Sequence, residues 1–230
     1  MPTAHITDIS VLPLFDGIDS ADCALLFDCL GCRIRRYRKD EHIVLERELS
    51  DNVGAVLEGG IRTYKEDIWG NRALLAYSKP GDIFGENFAF MQNEGERQGI
   101  SFISSASTLV LFTPAARILH PCKNSCAFHH QLSRNMYKMI SDKNRRLMEK
   151  IDITSQGSVR EKLLAYLSME SRRQGSTSFK VPLRRIEMAE FLCINRSAMS
   201  RELTALKKEG LITFDKDFFT ILDTHIPGRQ

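Results

Sequence analysis

The 230-residue chain is 43% hydrophobic and 27% charged, which is typical of a globular protein and excludes a disordered polyelectrolyte. Because no apolar run approaches the roughly 18 residues of a membrane span and the amino terminus lacks a signal pattern, we expect a cytoplasmic protein without a membrane partner. The net charge of +3 is unevenly spread, since residues 155–230 hold 13 Lys and Arg against 9 Asp and Glu, whereas residues 1–154 hold 19 against 20. This asymmetry favours nucleic-acid contact at the carboxy-terminal third.

The chain begins with short helical pieces over residues 8–32. Asp19 or Ser20 can cap a helix through residues 21–30, and Gly31 can end it. The apolar residues expected on one side of this helix are Leu25, Leu26 and Leu30.

From residue 34 to about 111 the pattern changes to short β-rich runs separated by turns. The turns are marked by the sequences EGG, WGN and KPGD at residues 58–60, 69–71 and 79–82. Short strands separated by regularly spaced turns predict a small antiparallel roll. The predicted strands are residues 43–45, 53–57, 61–64, 73–77, 100–103 and 108–112.

A single long helix is predicted over residues 125–154, because the chain has no Pro or Gly between Ser125 and Thr154 and is broken at Gly157. Its apolar residues recur at three- and four-residue steps, which favours a two-helix dimer seam. The alternative is that the helix lies on its own roll. The predicted dimerisation residues are Leu132, Met136, Met139, Ile140, Leu147 and Ile151.

After a helix at residues 159–172, the segment 183–222 predicts two helices joined by a tight turn and followed by a two-stranded wing. The first of these helices turns Ile186, Ala189 and Leu192 inward. Asn195 is a good N-cap for the second helix, which ends at Gly210. The wing strands are residues 211–214 and 218–222.

The second helix of this segment has two different faces. Met199, Leu203 and Leu206 recur at helical spacing and should face the core. The opposite face combines short polar side chains with Arg and Lys, which suits entry into the DNA major groove, where Arg reads guanine and Lys contacts the backbone. The predicted DNA-binding residues are Asn195, Arg196, Ser197, Ser200, Arg201, Thr204 and Lys208.

Over residues 10–223 the chain resembles the Crp/Fnr superfamily of bacterial transcription regulators. The motifs that carry the resemblance are VLEGG at 56–60, DIWGN at 67–71, PGDIFGE at 80–86, MAEFL at 188–192, NRSAMSREL at 195–203 and EGLI at 209–212.

The resemblance implies an α+β fold with an antiparallel β-roll of the jelly-roll type, a long dimerisation helix and a winged helix-turn-helix. The corresponding domains are residues 1–124, 125–154 and 155–230. It also implies a homodimer on a near-palindromic operator, a small-molecule effector in the roll and contact with RNA polymerase. Two residues depart from the family pattern: Ser197 replaces a common Glu, and Cys193 replaces the Gly usual in the turn.

In cyclic-nucleotide members of the family, Gly-Glu followed about ten residues later by Arg-Ser binds the ribose and phosphate. This chain has Gly85 and Glu86, but Arg97 and Gln98 are displaced by one residue and lack the hydroxyl. The long helix lacks the Thr-Ser pair that meets the purine in these members, and Lys143 and Asn144 lie near that place. The pocket therefore suits a small organic anion at least as well as a cyclic nucleotide, and a structural ion pair of Glu86 with Arg97 is the alternative. The candidate effector-binding residues are Gly85, Glu86, Asn87, Phe88, Arg97 and Gln98.

Two further hypotheses concern the sensor. Cys23, Cys29, Cys32 and Cys122 match in number the ligands of an iron–sulfur redox sensor, but Cys23 and Cys29 lie inside the first helix, where buried structural cysteine is commoner. No metal site is otherwise indicated, because Cys122 and Cys126 lack a His or carboxylate nearby. A cyclic-nucleotide module without DNA binding would leave residues 183–222 unexplained. The chain has no H-x-H, P-loop or G-x-S-x-G motif, so we expect no enzymatic activity.

Overall fold

The computed structural model describes residues 9–43, 51–70, 72–90, 99–120 and 127–222. The chain divides into two compact units, Met1–Asn144 and Arg145–Gln230. Within the described ranges, no helix combines the length and the apolar character needed to cross a bilayer.

The first unit is built around two four-stranded antiparallel sheets, which together form the predicted β-roll. The strand orders are β1-β8-β3-β6 and β2-β7-β4-β5. The strands are β1 (Arg33–Tyr37), β2 (His42–Ile43), β3 (Asn52–Glu58), β4 (Ile61–Glu66), β5 (Arg72–Ser78), β6 (Ile83–Phe84), β7 (Ile100–Ser104) and β8 (Thr108–Pro114).

Strand β1 is absent from the sequence prediction for a physical reason. Its sequence RIRRY is mostly cationic, so it lacks the apolar alternation that identifies a half-buried strand. Among the described strands it lies at the edge of its sheet and pairs with β8 alone, where charged side chains face solvent without cost.

Among the described residues, the roll is accompanied by a 3-10 turn at Pro13–Phe15 and by the α-helices α1 (Ser20–Leu30), α2 (Glu86–Phe90) and α3 (Ala115–Leu119). Helix α1 ends at Gly31 in the left-handed conformation, as predicted. Leu26 and Leu30 are buried, but Leu25 is exposed, so the prediction that all three share one side is wrong. Each residue advances about 100° around a helix, which turns Leu25 away from the other two.

Helix α4 (Ala127–Thr154) begins in the first unit and ends in the second. The predicted dimer seam needs correction in its first half. Leu132 and Met136 are buried in the chain's own core with Leu14, Phe15 and other residues, and Met139 and Ile140 pack partly against that core. These side chains cover the roll, whereas Leu147 and Ile151 are exposed.

The second unit contains α5 (Val159–Gln174), β9 (Ser178–Lys180), α6 (Arg185–Phe191), α7 (Arg196–Lys208), β10 (Ile212–Asp215) and β11 (Phe218–Ile221). The wing is a three-stranded sheet of order β10-β11-β9, so β9 was missed by the two-stranded prediction. In α6 and its C-cap, Met188, Ala189 and Leu192 are buried, whereas Ile186 is exposed against expectation. Met188 completes the buried face because Ile186 lies on the far side of the first turn.

Candidate nucleic-acid interface and sensor site

Helix α7 is fixed at both ends by its own sequence. The Asn195 side chain caps the start, because its Oδ1 accepts hydrogen bonds from Ser197 N at 2.8 Å and Ala198 N at 3.4 Å. At the other end Gly210 adopts a positive φ of 75°, and Leu211 N donates to Leu206 O at 3.1 Å. The two caps set where the helix starts and stops, as the sequence predicts.

The two faces of α7 differ as the sequence predicts. Met199, Leu203 and Leu206 are each at most 2% exposed and pack inside the unit. The candidate DNA-binding residues of the helix and its cap all lie exposed: Asn195, Arg196, Ser197, Ser200, Arg201, Thr204 and Lys208.

Two hydroxyls on the outward face are already engaged as donors. Ser197 Oγ donates to Asn195 Oδ1 at 2.6 Å, and Thr204 Oγ1 donates to Ser200 O at 2.9 Å. Each hydroxyl therefore offers only its lone pairs to a partner, while the guanidinium of Arg201 offers several N–H donors. The face combines weak acceptors with strong cationic donors.

The turn between α6 and α7 is built around Cys193, whose φ is 53°. Its amide donates to Glu190 O, and Ile194 N donates to Ala189 O at 3.0 Å. The left-handed conformation that Gly usually supplies is therefore kept by a residue with a Cβ, at a cost of about 1 kcal/mol. The Cys193 side chain is exposed.

The wing is held to α6 by Arg185, a residue that sequence reasoning did not single out. Its guanidinium carbon lies 4.8 Å from the ring centroid of Phe214 and 4.7 Å from that of Phe219, and Nη2 donates to Lys216 O at 2.9 Å. Burial lowers the pKa of Arg185. Cation–π contacts of a partly desolvated arginine are worth about 1–2 kcal/mol, which fixes the wing beside the two helices. No pattern in the sequence marks this contact.

Lys150 joins the last part of α4 to the end of α6. Its Nζ lies 4.4 Å from the ring centroid of Phe191. Burial lowers the pKa of Lys150 to about 8. Lys150 is thus a partly desolvated cation in contact with an aromatic ring, within the second unit.

In the first unit, the candidate effector residue Glu86 is buried at the start of α2, directly after Gly85 with φ 77°. Its Oε1 accepts a hydrogen bond from Nζ of Lys143 on α4 at 2.6 Å. Its Oε2 is buried and has no hydrogen-bond partner in the described part of the chain. A buried carboxylate oxygen without a donor is costly and therefore a candidate for ligand contact.

The other candidate effector residues differ in where they lie. Phe88 is buried in the aromatic core of the roll, edge-to-face with Phe102 at 6.0 Å, while Asn87 is exposed. Arg97 and Gln98 lie outside the described residues. The resemblance put Lys143 and Asn144 near the family's purine position, but the pairing of Lys143 with Glu86 across 57 residues had no local signal.

The cysteines of the first unit do not form a cluster site among the described residues. Cys23 and Cys32 are buried and Cys29 is exposed, and no three metal-ligating side chains come together there. Cys32 shares a hydrogen bond with Thr113, and burial raises the pKa of its thiol to about 11, which opposes the thiolate that iron requires. Cys122 and Cys126 lie outside the described residues.

Two family models match the chain. A cyclic nucleotide-binding domain model covers residues 34–125, and a Crp-like helix-turn-helix domain model covers residues 161–225. The nitrogen fixation regulation protein FixK of Bradyrhizobium diazoefficiens is 23% identical over 229 residues, covering 96% of this chain and 92% of the relative. The cyclic AMP receptor protein of Thermus thermophilus is 26% identical over 206 residues, covering 87% and 88%.

The fold has close counterparts among solved structures. The structure of FixK2 from Bradyrhizobium japonicum superposes with a TM-score of 0.63 at 22% identity, covering 84% of this chain and 93% of that one. The likeness shows the same α+β architecture, so the predicted fold class is confirmed.

Proposed function

Because the chain belongs to the Crp/Fnr superfamily of DNA-binding transcription regulators, we propose that it acts as a homodimer that reads a near-palindromic operator and responds to a small molecule in the β-roll. Members of this family regulate transcription and are not enzymes, as the sequence predicted. We name Met1–Asn144 the sensor unit and Arg145–Gln230 the DNA-reading unit.

The observation that supports DNA binding is that one face of helix α7 is buried while the opposite face is polar and exposed. Its buried stripe holds the helix in the domain, which leaves a regular row of polar and cationic side chains for the major groove. We expect Arg201, which is exposed on this face, to take a guanine bidentately. Ser197 offers only lone pairs, so the base pair that it faces should be weakly specified.

Selection from randomised duplexes at fixed salt tests this proposal. The wild-type chain should enrich a two-fold symmetric site whose half-sites are about one helical turn apart. Replacing Arg201 by Ala should relax one base pair in each half-site. Enrichment of an asymmetric sequence, or of none, would contradict the proposal.

The homodimer is supported by the exposed part of α4. Tyr137, Ile140, Asn144, Leu147 and Ile151 follow each other at steps of three and four residues, and all but the half-buried Ile140 are exposed. This spacing is that of a parallel two-stranded coiled coil, in which a single Asn fixes the register. The seam that we propose therefore drops Leu132, Met136 and Met139 of the sequence prediction and keeps the half-buried Ile140 together with Leu147 and Ile151.

Effector binding is supported by the unsatisfied oxygen of Glu86. An effector that donates a hydrogen bond there would satisfy Oε2, while the Lys143 ammonium keeps two N–H donors for an anionic group. We therefore propose a small organic anion that also carries a hydroxyl or amino group. Because Lys143 lies on α4, a ligand that draws it from Glu86 changes a contact of the dimer helix.

Native mass spectrometry of the purified dimer tests for the effector directly. We expect it to detect a bound small molecule of defined mass. Calorimetry with cyclic AMP tests the chemistry. We expect weak or no binding, because Lys143 already pairs with the carboxylate and Gln98 replaces the family's serine. A micromolar or tighter dissociation constant for cyclic AMP would contradict the proposed class of ligand.

RNA polymerase is the remaining proposed partner, since transcription regulators of this family work with it. In vitro transcription from a promoter bearing the selected operator measures this contact. We expect the wild-type chain to change transcript yield. An unchanged yield at saturating occupancy would contradict it.

A further inference from the structure

The DNA-reading helix carries two carboxylates that should oppose its function. Glu202 lies in the middle of α7, and Glu209 is its C-cap. DNA affinity depends on cationic contacts with phosphates, and the negative end of the helix dipole already lies at the C-terminus. The helix and its cap also hold four cations: Arg196, Arg201, Lys207 and Lys208.

One guanidinium from another helix holds both carboxylates. Arg160 lies in the first turn of α5, and its Nη1 donates to Glu202 Oε1 at 3.2 Å and to Glu209 Oε1 at 3.0 Å. Its Nη2 donates to Glu209 Oε2, so the contact with Glu209 is bidentate. Hydrogen bonding by Arg160 lowers the pKa of Glu209, which keeps that group ionised and paired. The two carboxylates are seven residues apart, so Arg160 spans two turns of α7.

We propose that Arg160 is a positioning residue for DNA recognition, which pairs with Glu202 and Glu209, offsets one of their two negative charges and fixes α7 against α5. It thereby reduces the repulsion of these carboxylates for DNA phosphates. This inference rests on the proposed reading of DNA by α7.

A role of Arg160 in folding stability alone would give a different result. The Arg160 side chain is 37% exposed, and exposed ion pairs contribute little to folding. Repulsion between a carboxylate and a phosphate acts only when DNA is bound. Removal of Arg160 should therefore change DNA affinity much more than it changes thermal unfolding.

The test measures affinity of the full-length protein for its selected operator, by fluorescence anisotropy at several salt concentrations. Arg160→Gln should weaken binding about tenfold at low salt. The triple variant Arg160→Gln, Glu202→Gln, Glu209→Gln should return to within about threefold of wild type. Arg172→Gln is the matched control, because it removes an exposed arginine near the far end of α5, and it should bind like wild type.

Each outcome decides the matter. Unchanged affinity of Arg160→Gln would overturn the inference. A loss that the triple variant does not recover would also overturn it, because Arg160 would then act by touching phosphate or by shaping the domain. Thermal unfolding of each variant shows whether Arg160 acts by shaping the domain. If the wild type selects no operator, the proposed function fails, whereas a selecting wild type with an unaffected Arg160→Gln refutes only this inference.

Discussion

The two units of this chain place their candidate functional residues in different ways. In the DNA-reading unit, the candidate residues lie on one helix between Asn195 and Lys208, and its caps and buried stripe fix their direction. In the sensor unit, Glu86 meets Lys143 from a helix 57 residues away. The first site is local in sequence, whereas the second exists only when the roll and α4 are assembled.

The two kinds of site are sensitive to different changes in the chain. A local site survives as long as its own helix forms, because helix geometry sets the side-chain directions. An assembled site depends on the packing of Leu132 and Met136 against the roll, which brings α4 to Glu86. Sensing should therefore be lost through distant core changes more easily than DNA reading.

Breaking the assembled site should change the stability of the protein most. Lys143→Met leaves the buried carboxylate of Glu86 without its partner and should lower the free energy of unfolding by about 3 kcal/mol. The double variant with Glu86→Gln should recover most of this loss, and Lys138→Met on the exposed side of α4 should cost less than about 0.5 kcal/mol. Chemical denaturation measures all three. Equal costs for Lys143→Met and Lys138→Met would show that the pair does not support the sensor unit.

The recognition helix of a single protomer should bind the operator only weakly. Ile151→Glu places a charge in the proposed seam and should produce monomers that bind the operator about a hundredfold more weakly, because the second half-site no longer adds avidity. Sedimentation gives the oligomeric state and anisotropy the affinity. Leu25→Glu, at an exposed leucine of α1, is the control and should stay dimeric. A dimeric Ile151→Glu protein would refute the seam.

Within the DNA-reading unit, Arg201→Ala tests the direction of α7. Loss of a bidentate guanine contact should cost about 1–3 kcal/mol of operator binding and relax one base pair per half-site. Selection from randomised duplexes measures the base preference. If binding weakens while every base preference is kept, the helix is not oriented as proposed.

Lys208 should behave differently from Arg201, although both lie exposed on the same helix. Removing a phosphate contact lowers the affinity for all sequences alike and flattens the salt slope by about one unit. Lys208→Ala should therefore weaken operator and random DNA equally. A change in base preference would place Lys208 over the bases instead.

The sequence predicted the parts of both units that depend on local rules. The Asn195 cap, the buried stripe of α7 and the strand positions follow from side-chain chemistry and periodicity. The first half of the dimer seam was wrong, because an apolar stripe does not reveal whether a roll or a second chain covers it. Strand β1 and the pairing of Lys143 with Glu86 were missed because both depend on distant partners.

A smaller change is expected at Cys193, which lies in the turn between α6 and α7 where the family usually has Gly. Its φ of 53° costs a residue with a Cβ about 1 kcal/mol, which glycine avoids at the expense of a more flexible unfolded chain. Cys193→Gly should therefore raise the free energy of unfolding by about 0.5 kcal/mol, whereas Cys193→Ala keeps the Cβ and should give no gain. Urea denaturation of both variants separates relief of backbone strain from loss of the thiol. Equal stabilities for the Gly and Ala variants would mean that the turn carries no strain, and the preference for glycine there would need another cause.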